Sequence, residues 1–247
     1  MSSVEVLRTA EIVSKPVLSI CSPVHNEEGN LRELARRIAA ALDAGHGPWV
    51  WECILVDDGS TDESDRILNE ICAADPRFRV LQHDVNLGER AAWHTAFRHA
   101  RGEVACIIAA DLQSPPEELP KLVGVIVDEG FDVGTGRRAQ RKDGVFYFIA
   151  TWILTQFSRI AWKVDVRDVS SSFFAVRTKF IKDLKLVEND HRYILAILKR
   201  RGANIKEIDT SHFARSHGSS HYSSMKVLRA FPEVARFTLR LYKGYYD

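Results

Sequence analysis

The sequence lacks the marks of several protein classes. Its 4 cysteines are widely spaced, and no two of them have the spacing of a zinc-binding pair. We therefore expect buried free thiols in a reducing compartment. No window reaches the ~18 apolar residues of a membrane-spanning helix. The N-terminal segment MSSVEVLRTAEIVSK carries charges throughout and has no signal-peptide core. These absences predict a cytoplasmic protein.

An excess of positive charge is missing as well. Lys and Arg number 34 against 33 Asp and Glu, so the charges nearly cancel. Broad nucleic-acid binding needs a strongly basic face, and we expect no nucleic-acid partner. The apolar content of 45% is that of an ordinary globular protein. A chain of 247 residues predicts one α/β domain or two small ones with a substantial core.

The first half of the sequence alternates between strand and helix patterns. The apolar runs PVLSICSPV, WECILVDDGS, FRVLQHDVN and EVACIIAAD predict four strands. The first intervening helix has Asn26 or Asn30 as its predicted cap, and the second has Ser60 or Thr61. This alternation predicts βαβ units in a Rossmann-like, mainly parallel sheet flanked by helices.

Acidic and polar side chains collect where these predicted strands end. Ligands of open parallel sheets bind beyond the carboxyl ends of the strands. Three aspartates are expected at this edge, Asp57, Asp58 and Asp111, and they would repel one another unless cations or hydrogen-bond donors compensate. The pattern predicts a ligand with many donors, a divalent metal, or both.

The segment CIIAADLQSPPEELP is the most unusual part of this edge. Its apolar run predicts a buried strand, and its two prolines turn the chain out of that strand. Strand alternation would point Asp111 and Gln113 to the same side, where both supply oxygen ligands.

Seven motifs, in this order, resemble those of the inverting glycosyltransferases of family 2 with the GT-A fold. Within the family, the resemblance is to the dolichyl-phosphate-mannose synthase and polyprenyl-phosphate glycosyltransferase group. The motifs are SPVHNEE, VDDGSTD, NLGERAA, ADLQSPPE, G-x-R-x-x-R-x-D from Gly136 to Asp143, D-x-x-S-x-x-F from Asp168, and R-x-x-G-x-S from Arg215 to Ser220.

The resemblance covers roughly Val17 to Lys226 and implies a domain organisation. A single GT-A domain would occupy residues 1–225, with a nucleotide-binding half at about 16–115 and an acceptor half at 116–225. Residues 226–247 would form a basic amphipathic C-terminal tail.

The resemblance also implies roles for individual residues. The donor would be a UDP- or GDP-linked sugar, and Asp58 would accept a hydrogen bond from its base. Asp111 and Gln113 fall on the motif that holds Mg²⁺ or Mn²⁺ against the diphosphate. Arg138 would clamp phosphate oxygens, and the implied catalytic residues are Asp111, Asp168 and Arg138. The implied donor-binding residues are Pro23, His25, Glu27, Val56, Asp58, Ala110, Asp111, Gln113, Arg138, Arg141, Arg215 and Ser220.

Two positions depart from the family pattern. The metal motif usually reads D-x-D-x-Q, and here Ala109 takes the place of the first acid. The loss of one carboxylate weakens metal affinity, because ligand charge drives it. His221 stands where relatives tend to have a lysine, and a histidine supplies a weaker, pH-dependent cation.

The nature of the acceptor decides the mechanism. A polyprenyl phosphate, the acceptor we favour, is already anionic and needs little help from a base. A saccharide hydroxyl, the alternative, needs a positioned carboxylate. Asp168 is the candidate on the acceptor side, either as that base or as an orienting group, with Asp165 close to it in sequence. A nucleotide-sugar binding protein without catalysis is a third interpretation, motivated by Ala109.

The C-terminal segment is a candidate for peripheral contact with a membrane. Basic residues recur at helical spacing there, with apolar and aromatic neighbours, as in helices that lie on anionic bilayers. A helix packed on the protein with a solvated basic face is an equal alternative. The aromatic stretch from Phe146 to Trp162 is a second candidate surface. The sequence predicts no oligomeric state. The basic residues are Lys226, Arg229, Arg236, Arg240 and Lys243.

Overall fold

The structure, a computed structural model, describes residues 18–44, 49–138, 152–213 and 225–247, the last range with side chains from residue 232 onward. Within these residues the chain forms one seven-stranded sheet. The four strands predicted in the first half of the sequence are all present. The strands are β1 Leu18–Val24, β2 Trp51–Asp58, β3 Phe78–His83, β4 Val104–Ile107, β5 Val133–Arg138, β6 Phe174–Arg177 and β7 Ile205–Thr210.

Seven α-helices are described in these parts of the chain, together with short turns of other helix types. A π-helical turn at Ser158–Trp162 continues the fifth helix, and 3-10 turns lie at Pro116–Glu118, Thr178–Phe180 and Asp190–Tyr193. The helices are α1 Leu31–Asp43, α2 Ser64–Ala74, α3 Glu89–His99, α4 Leu119–Val127, α5 at 152–157, α6 Ile194–Arg200 and α7 Met225–Tyr242.

The strand order is β3-β2-β1-β4-β6-β5-β7. All neighbours pair in parallel except β6, which is antiparallel to both β4 and β5. The mainly parallel sheet predicted from the sequence is therefore confirmed. Because β6 runs the other way, the chain that precedes it reaches the same edge as the carboxyl ends of the other strands.

Two hydrophobic clusters cover the two faces of the sheet. One cluster contains α3, α6 and α7 residues, and the other contains α1, α2 and α4 residues. Three of the cysteines, Cys21, Cys53 and Cys106, are buried in these clusters, and all four are free. Burial raises the pKa of the Cys21 thiol far above its usual range, so this group is an unreactive core residue.

Helix α1 shows why these segments form helices that pack on the sheet. Its buried residues recur three or four positions apart and form one apolar stripe: Leu31, Leu34, Ala35, Ile38 and Leu42. Full burial of each large side chain in this stripe stabilises the fold by about 1.5–3 kcal/mol. Asn30 occupies the N-cap position as predicted, although its side chain makes no capping hydrogen bond.

The C-terminal helix packs into the same core as α3. Phe237, Leu241 and Tyr246 are at most 4% exposed. Arg240 donates a hydrogen bond of 2.6 Å to the buried carboxylate of Asp190, which also accepts from the Tyr246 hydroxyl. The expectation of one solvated basic stripe is therefore wrong at Arg240, which faces the protein.

Two further expectations need correction. Helix α2 begins at Ser64, so neither Ser60 nor Thr61 caps it. Strand β7, IKEIDT, was not predicted, because charges interrupt its apolar positions and hide the strand pattern. Its place in the sheet comes from parallel pairing with β5.

Candidate active site

The predicted site residues that the structure describes lie at one edge of the sheet. The carboxyl ends of β1, β2, β4 and β5 meet there, and the segment before β6 joins them. Three of the implied donor-binding residues, Arg141, Arg215 and Ser220, lie outside the described residues. The remaining nine are assessed in the paragraphs below.

Hydrogen bonds join the loop after β1 to the loop after β2. Asn26 has a left-handed backbone (φ 54°), and its amide N–H donates to Ser60 Oγ at 3.0 Å. The Asn26 side-chain oxygen accepts from the Thr61 N–H at 2.7 Å, and the Glu28 N–H donates to Asp62 at 3.2 Å. Ser60 and Thr61 therefore join two loops, which explains why they do not cap α2.

Two predicted donor-binding side chains emerge from this pair of loops. The His25 ring is exposed, and its Nδ1 lies 3.0 Å from the Asp58 carbonyl oxygen. The Glu27 carboxylate accepts a hydrogen bond of 2.6 Å from the Asn30 side chain. Pro23, at the end of β1, is half-buried. His25, Glu27 and Pro23 thus have surface with which a donor can make contact.

Two other residues of the predicted donor pocket are almost completely covered. Val56 is 0% exposed and belongs to the hydrophobic core, and Ala110 is 3% exposed. Their side chains support the site from below and offer a donor no surface in this structure.

The two aspartates of VDDGS belong to β2 itself and are buried. Asp57 is 0% exposed, and its Oδ1 accepts from the Ser60 N–H at 3.0 Å. Asp58 is 3% exposed, and its carboxylate accepts from the N–H groups of Leu87 and Gly88 at 2.9 and 2.8 Å. The compensation that the sequence requires for these two carboxylates comes from backbone N–H donors, and neither carboxylate is open to a ligand in this structure. Both stabilise loops, and backbone donors offset the cost of burial.

Asp111 and Gln113 lie in a turn, because β4 ends at Ile107. Leu112, between them, has a left-handed backbone (φ 59°), and Asp111 Oδ1 accepts from the Gln113 N–H at 3.1 Å. The sequence led us to expect that strand alternation points both side chains to the same side, and this expectation is wrong because neither residue lies in the strand. A tight turn brings the Asp111 carboxylate to the backbone N–H of Gln113 instead.

This turn fits a divalent cation only in part. Among the residues that the structure describes, no group of three or more His, Cys, Asp or Glu side chains could hold a metal ion. Asp111 and Gln113 are hard oxygen donors of the type that Mg²⁺ and Mn²⁺ take, and Ala109 adds no third. Most of the ligands would have to come from water and from a bound diphosphate.

Arg138 and Asp168 bind each other on the acceptor side of the edge. Arg138 Nε donates to Asp168 Oδ2 at 2.6 Å, and Nη2 donates to Oδ1 at 2.8 Å. Their side chains are 20% and 8% exposed. A carboxylate held by a guanidinium fork is poorly suited to accept a proton, whereas the fork itself is rigidly oriented. The pairing therefore argues against Asp168 as a general base.

Two contacts hold this pair in place and settle which aspartate belongs to it. Glu207 on β7 accepts hydrogen bonds of 2.8 Å from the backbone N–H groups of Arg167 and Asp168. Asp165, the neighbouring alternative, has a side chain that is 89% exposed and pairs with Arg159. Sequence reasoning missed Glu207 because it missed β7.

The chain after β7 is attached to the Asp111–Gln113 turn. The Phe213 N–H donates to the Gln113 carbonyl oxygen at 2.9 Å, and Ser211 Oγ donates to Glu118 at 3.2 Å. Glu118 directly follows the ADLQSPPE motif, and this position in the sequence was the one available signal. These contacts join the donor and acceptor sides of the edge.

An open depression of about 990 Å³ lies at the opposite edge of the sheet. It contains none of the residues predicted to bind the donor. Its basic lining residues are Arg79, Arg98, Arg101, Arg177, Lys179 and Lys182.

Comparison with known families agrees with this geometry. Residues 19–185 match the model of "Glycosyl transferase family 2", which is more than half of the chain. The chain belongs to glycosyl transferase family 2. The family membership predicted from the seven motifs is confirmed, and a family 2 domain makes the protein a glycosyltransferase.

Two named relatives share about a third of their residues with this family 2 chain. Dodecaprenyl-phosphate galacturonate synthase of Rhizobium johnstonii is 32% identical over 94% of the chain and 70% of its own length. Undecaprenyl-phosphate 4-deoxy-4-formamido-L-arabinose transferase of Edwardsiella ictaluri is 33% identical over 85% of the chain and 64% of its own length. The chain thus spans about two thirds of these relatives.

Solved structures show the same fold at low identity. Glucosyl-3-phosphoglycerate synthase of Mycobacterium tuberculosis, in complex with Mn²⁺, UDP-glucose and phosphoglyceric acid, has a TM-score of 0.67 at 20% identity. The match covers 92% of this chain and 79% of that one. Mannosyl-3-phosphoglycerate synthase of Rubrobacter xylanophilus has a TM-score of 0.69 at 17% identity, over 91% and 73% of the two chains. The predicted GT-A fold is confirmed.

Proposed function

We propose that this glycosyltransferase moves a sugar from a nucleoside-diphosphate sugar to a polyprenyl phosphate, with inversion at the anomeric carbon. The observation that carries the proposal is the 32% identity, over 94% of the chain, to a dodecaprenyl-phosphate galacturonate synthase. The Arg138–Asp168 pair supports it, because a guanidinium at this edge suits a phosphate.

The donor would bind at the carboxyl ends of β1, β2 and β4. His25 and Glu27 would contact the nucleoside, and Asp58 would hold the loop that forms one wall of its pocket. Asp111 and Gln113 would hold a Mg²⁺ or Mn²⁺ ion together with the diphosphate. Such an ion, when bound, would neutralise negative charge on the leaving nucleoside diphosphate.

Phosphate recognition on the acceptor side would depend on Arg138. Its guanidinium is already oriented by Asp168, so little side-chain entropy is lost when a phosphate oxygen binds. The acceptor phosphate is an anion at neutral pH and needs no proton removed before it attacks. Attack on the anomeric carbon from the face opposite the diphosphate would invert its configuration.

An exposed apolar surface on α5, the turn after it and α7 suits a lipid-linked acceptor. On α5 and the turn after it, exposed apolar residues recur at i, i+4 and i+7, and α7 exposes two more. The two elements touch, since the Tyr242 hydroxyl donates to the Ala161 carbonyl oxygen. Peripheral docking of this surface on a bilayer is part of the proposal. The described residues include no helix long and apolar enough to cross a bilayer. The exposed residues are Ile153, Phe157, Ile160, Leu239 and Tyr242.

The test begins with the donor. A thermal-shift panel of UDP- and GDP-linked sugars identifies the compound that stabilises the protein most. That donor, labelled in its sugar, is then incubated with undecaprenyl phosphate in detergent. We expect label in the lipid phase. NMR of the lipid product should show an anomeric configuration opposite to that of the sugar in the donor.

Undecaprenol, which lacks the phosphate, is the matched control and should remain unlabelled. Transfer to undecaprenol or to a saccharide at an equal rate would contradict the proposal and favour the hydroxyl-acceptor alternative. Donor binding without transfer to any acceptor would favour a binding protein.

A further inference from the structure

A partly buried chain of hydrogen bonds leads from the donor-binding edge of the sheet into α3. Asp58 and His83 are the last residues of β2 and β3 and lie side by side in the parallel register. His83 Nδ1 is 2.7 Å from Asp58 Oδ1, and His83 Nε2 is 2.9 Å from Thr95 Oγ1. The His83 side chain is 10% exposed and that of Asp58 is 4% exposed.

We propose that His83 is a positioning residue for the donor site, acting through Asp58 with Thr95 as its support. His83 lies outside the seven motifs that carry the family resemblance. The inference rests on the proposed function in one respect, namely that the loop after β3 forms a wall of the donor pocket.

Asp58 is the point where three loops of the site meet. Its side chain accepts from the Leu87 and Gly88 N–H groups, and its carbonyl oxygen contacts the His25 ring. Gly88 has a left-handed backbone (φ 88°) directly before α3 begins at Glu89. The direction of the Asp58 carboxylate therefore fixes both the loop and the start of α3.

The ring N–H of His83 donates the hydrogen bond that keeps the Asp58 carboxylate in one orientation. The two backbone N–H groups approach the carboxylate from the loop, and His83 approaches it from the neighbouring strand. A buried carboxylate with three donors has its charge well compensated. Without His83, Asp58 Oδ1 keeps only the Leu87 contact, and the carboxylate can rotate away from the loop.

Thr95 determines how the ring of His83 is held. Asp58 is an acceptor, so Nδ1 carries the proton in the neutral ring and Nε2 accepts from the Thr95 hydroxyl. The Asp58 carboxylate thus selects the tautomer, and the Thr95 hydroxyl adapts to it and holds the ring plane. Because Thr95 lies within α3, the same chain ties the helix back to the loop that starts it.

Simple packing is the competing explanation for a buried histidine, and substitutions distinguish the two. His83→Leu fills a similar volume without a donor. His83→Asn places an amide nitrogen close to the position of Nδ1 and keeps the bond to Asp58. A packing role predicts that leucine is the better replacement, whereas a positioning role predicts that asparagine is.

The experiment measures hydrogen–deuterium exchange at Leu87 and Gly88 and, in the same variants, the KM for the donor and kcat. We expect His83→Leu to speed exchange at both amides and to raise the donor KM, each by about tenfold, since a hydrogen bond to a charged group is lost. The value of kcat should change by less than about threefold. In His83→Asn both the exchange rates and the donor KM should lie close to the wild-type values. Thr95→Val should raise both quantities, but by less than His83→Leu does.

His99→Leu is the control, because His99 is exposed and, within the described residues, its side chain hydrogen-bonds to the backbone carbonyl of Thr95 and not to Asp58. Unchanged exchange at Leu87 and Gly88 in His83→Leu would overturn the inference, as would failure of asparagine to rescue. The exchange measurement needs no substrate. If the wild-type protein transfers no sugar, the proposed function fails while the exchange result still decides the role of His83.

Discussion

The two sides of the candidate active site use carboxylates in different ways. On the nucleotide side, Asp57 and Asp58 are buried and accept hydrogen bonds from backbone N–H groups. On the acceptor side, Asp168 is held by the guanidinium of Arg138. A backbone partner cannot leave without local unfolding, whereas a guanidinium has five N–H donors, more than the two that Asp168 engages. Asp57 and Asp58 thus stabilise loops beside the proposed nucleotide pocket, whereas the Arg138–Asp168 pair would also bind a substrate phosphate.

The largest effect is expected on catalysis when the guanidinium of Arg138 is removed. Arg138→Ala should lower kcat/KM by about 10²–10³-fold, because an oriented charge on a phosphate is lost. Arg138→Lys should restore little, since lysine cannot form the bidentate contact. Steady-state kinetics with the donor found by the thermal-shift panel measure both.

Arg137→Ala is the matched control for that prediction. Arg137 is the neighbour of Arg138 on β5 and pairs with the exposed Asp209 at 2.6 Å. Its removal should leave kcat/KM within about twofold, as exposed ion pairs contribute little. If Arg137→Ala lowered kcat/KM as much as Arg138→Ala does, Arg138 would have no specific role in binding a phosphate.

Asp58→Asn tests the nucleotide side, where the effect should fall on stability. An asparagine keeps one acceptor oxygen but turns its NH2 group toward one of the two backbone N–H groups, which is left unsatisfied. We expect the free energy of unfolding to fall by about 2–3 kcal/mol, measured by urea denaturation. Asp84→Asn, an exposed change in the loop after β3, should leave it unaltered. If Asp58→Asn were as stable as the wild type, its carboxylate would not be a structural element.

Ala109→Asp sharpens the comparison by adding a carboxylate on the nucleotide side beside the Asp111 turn. Ala109 is half-buried and lies two residues before Asp111. The added ligand charge should lower the Mn²⁺ concentration that gives half-maximal activity by about tenfold. Ser114→Asp is the control, since it adds the same charge beyond the turn. An unchanged metal requirement would show that the cation binds without using this position.

Local sequence was sufficient to predict the framework but not the contacts of the site. Four strands follow from apolar runs, and the rule about carboxyl ends of strands located the correct edge. The partners of Asp58 lie 29 and 30 residues away in the sequence, so no local pattern could reveal them. Leu112 has a left-handed backbone without being glycine, and nothing in the motif signals that turn.

The resemblance to family 2 assigned roles that geometry alone could not assign, and it also hid one contact. It placed Arg138 on a phosphate and Asp168 on the acceptor, and the pairing between them follows from neither assignment. The pair forms because β5 ends beside the segment that enters β6, an arrangement set by the antiparallel direction of β6. Such long-range pairing depends on the whole sheet.

The hydrogen bonds between the loops after β1 and β2 have a thermodynamic consequence. Asn26 and Glu28 bind residues of the loop after β2 through hydrogen bonds between protein atoms alone. The conformational entropy of these loops is lost during folding and not again during binding, so a nucleotide would meet a preorganised surface. We would accordingly expect fast association and a small structural change on this side.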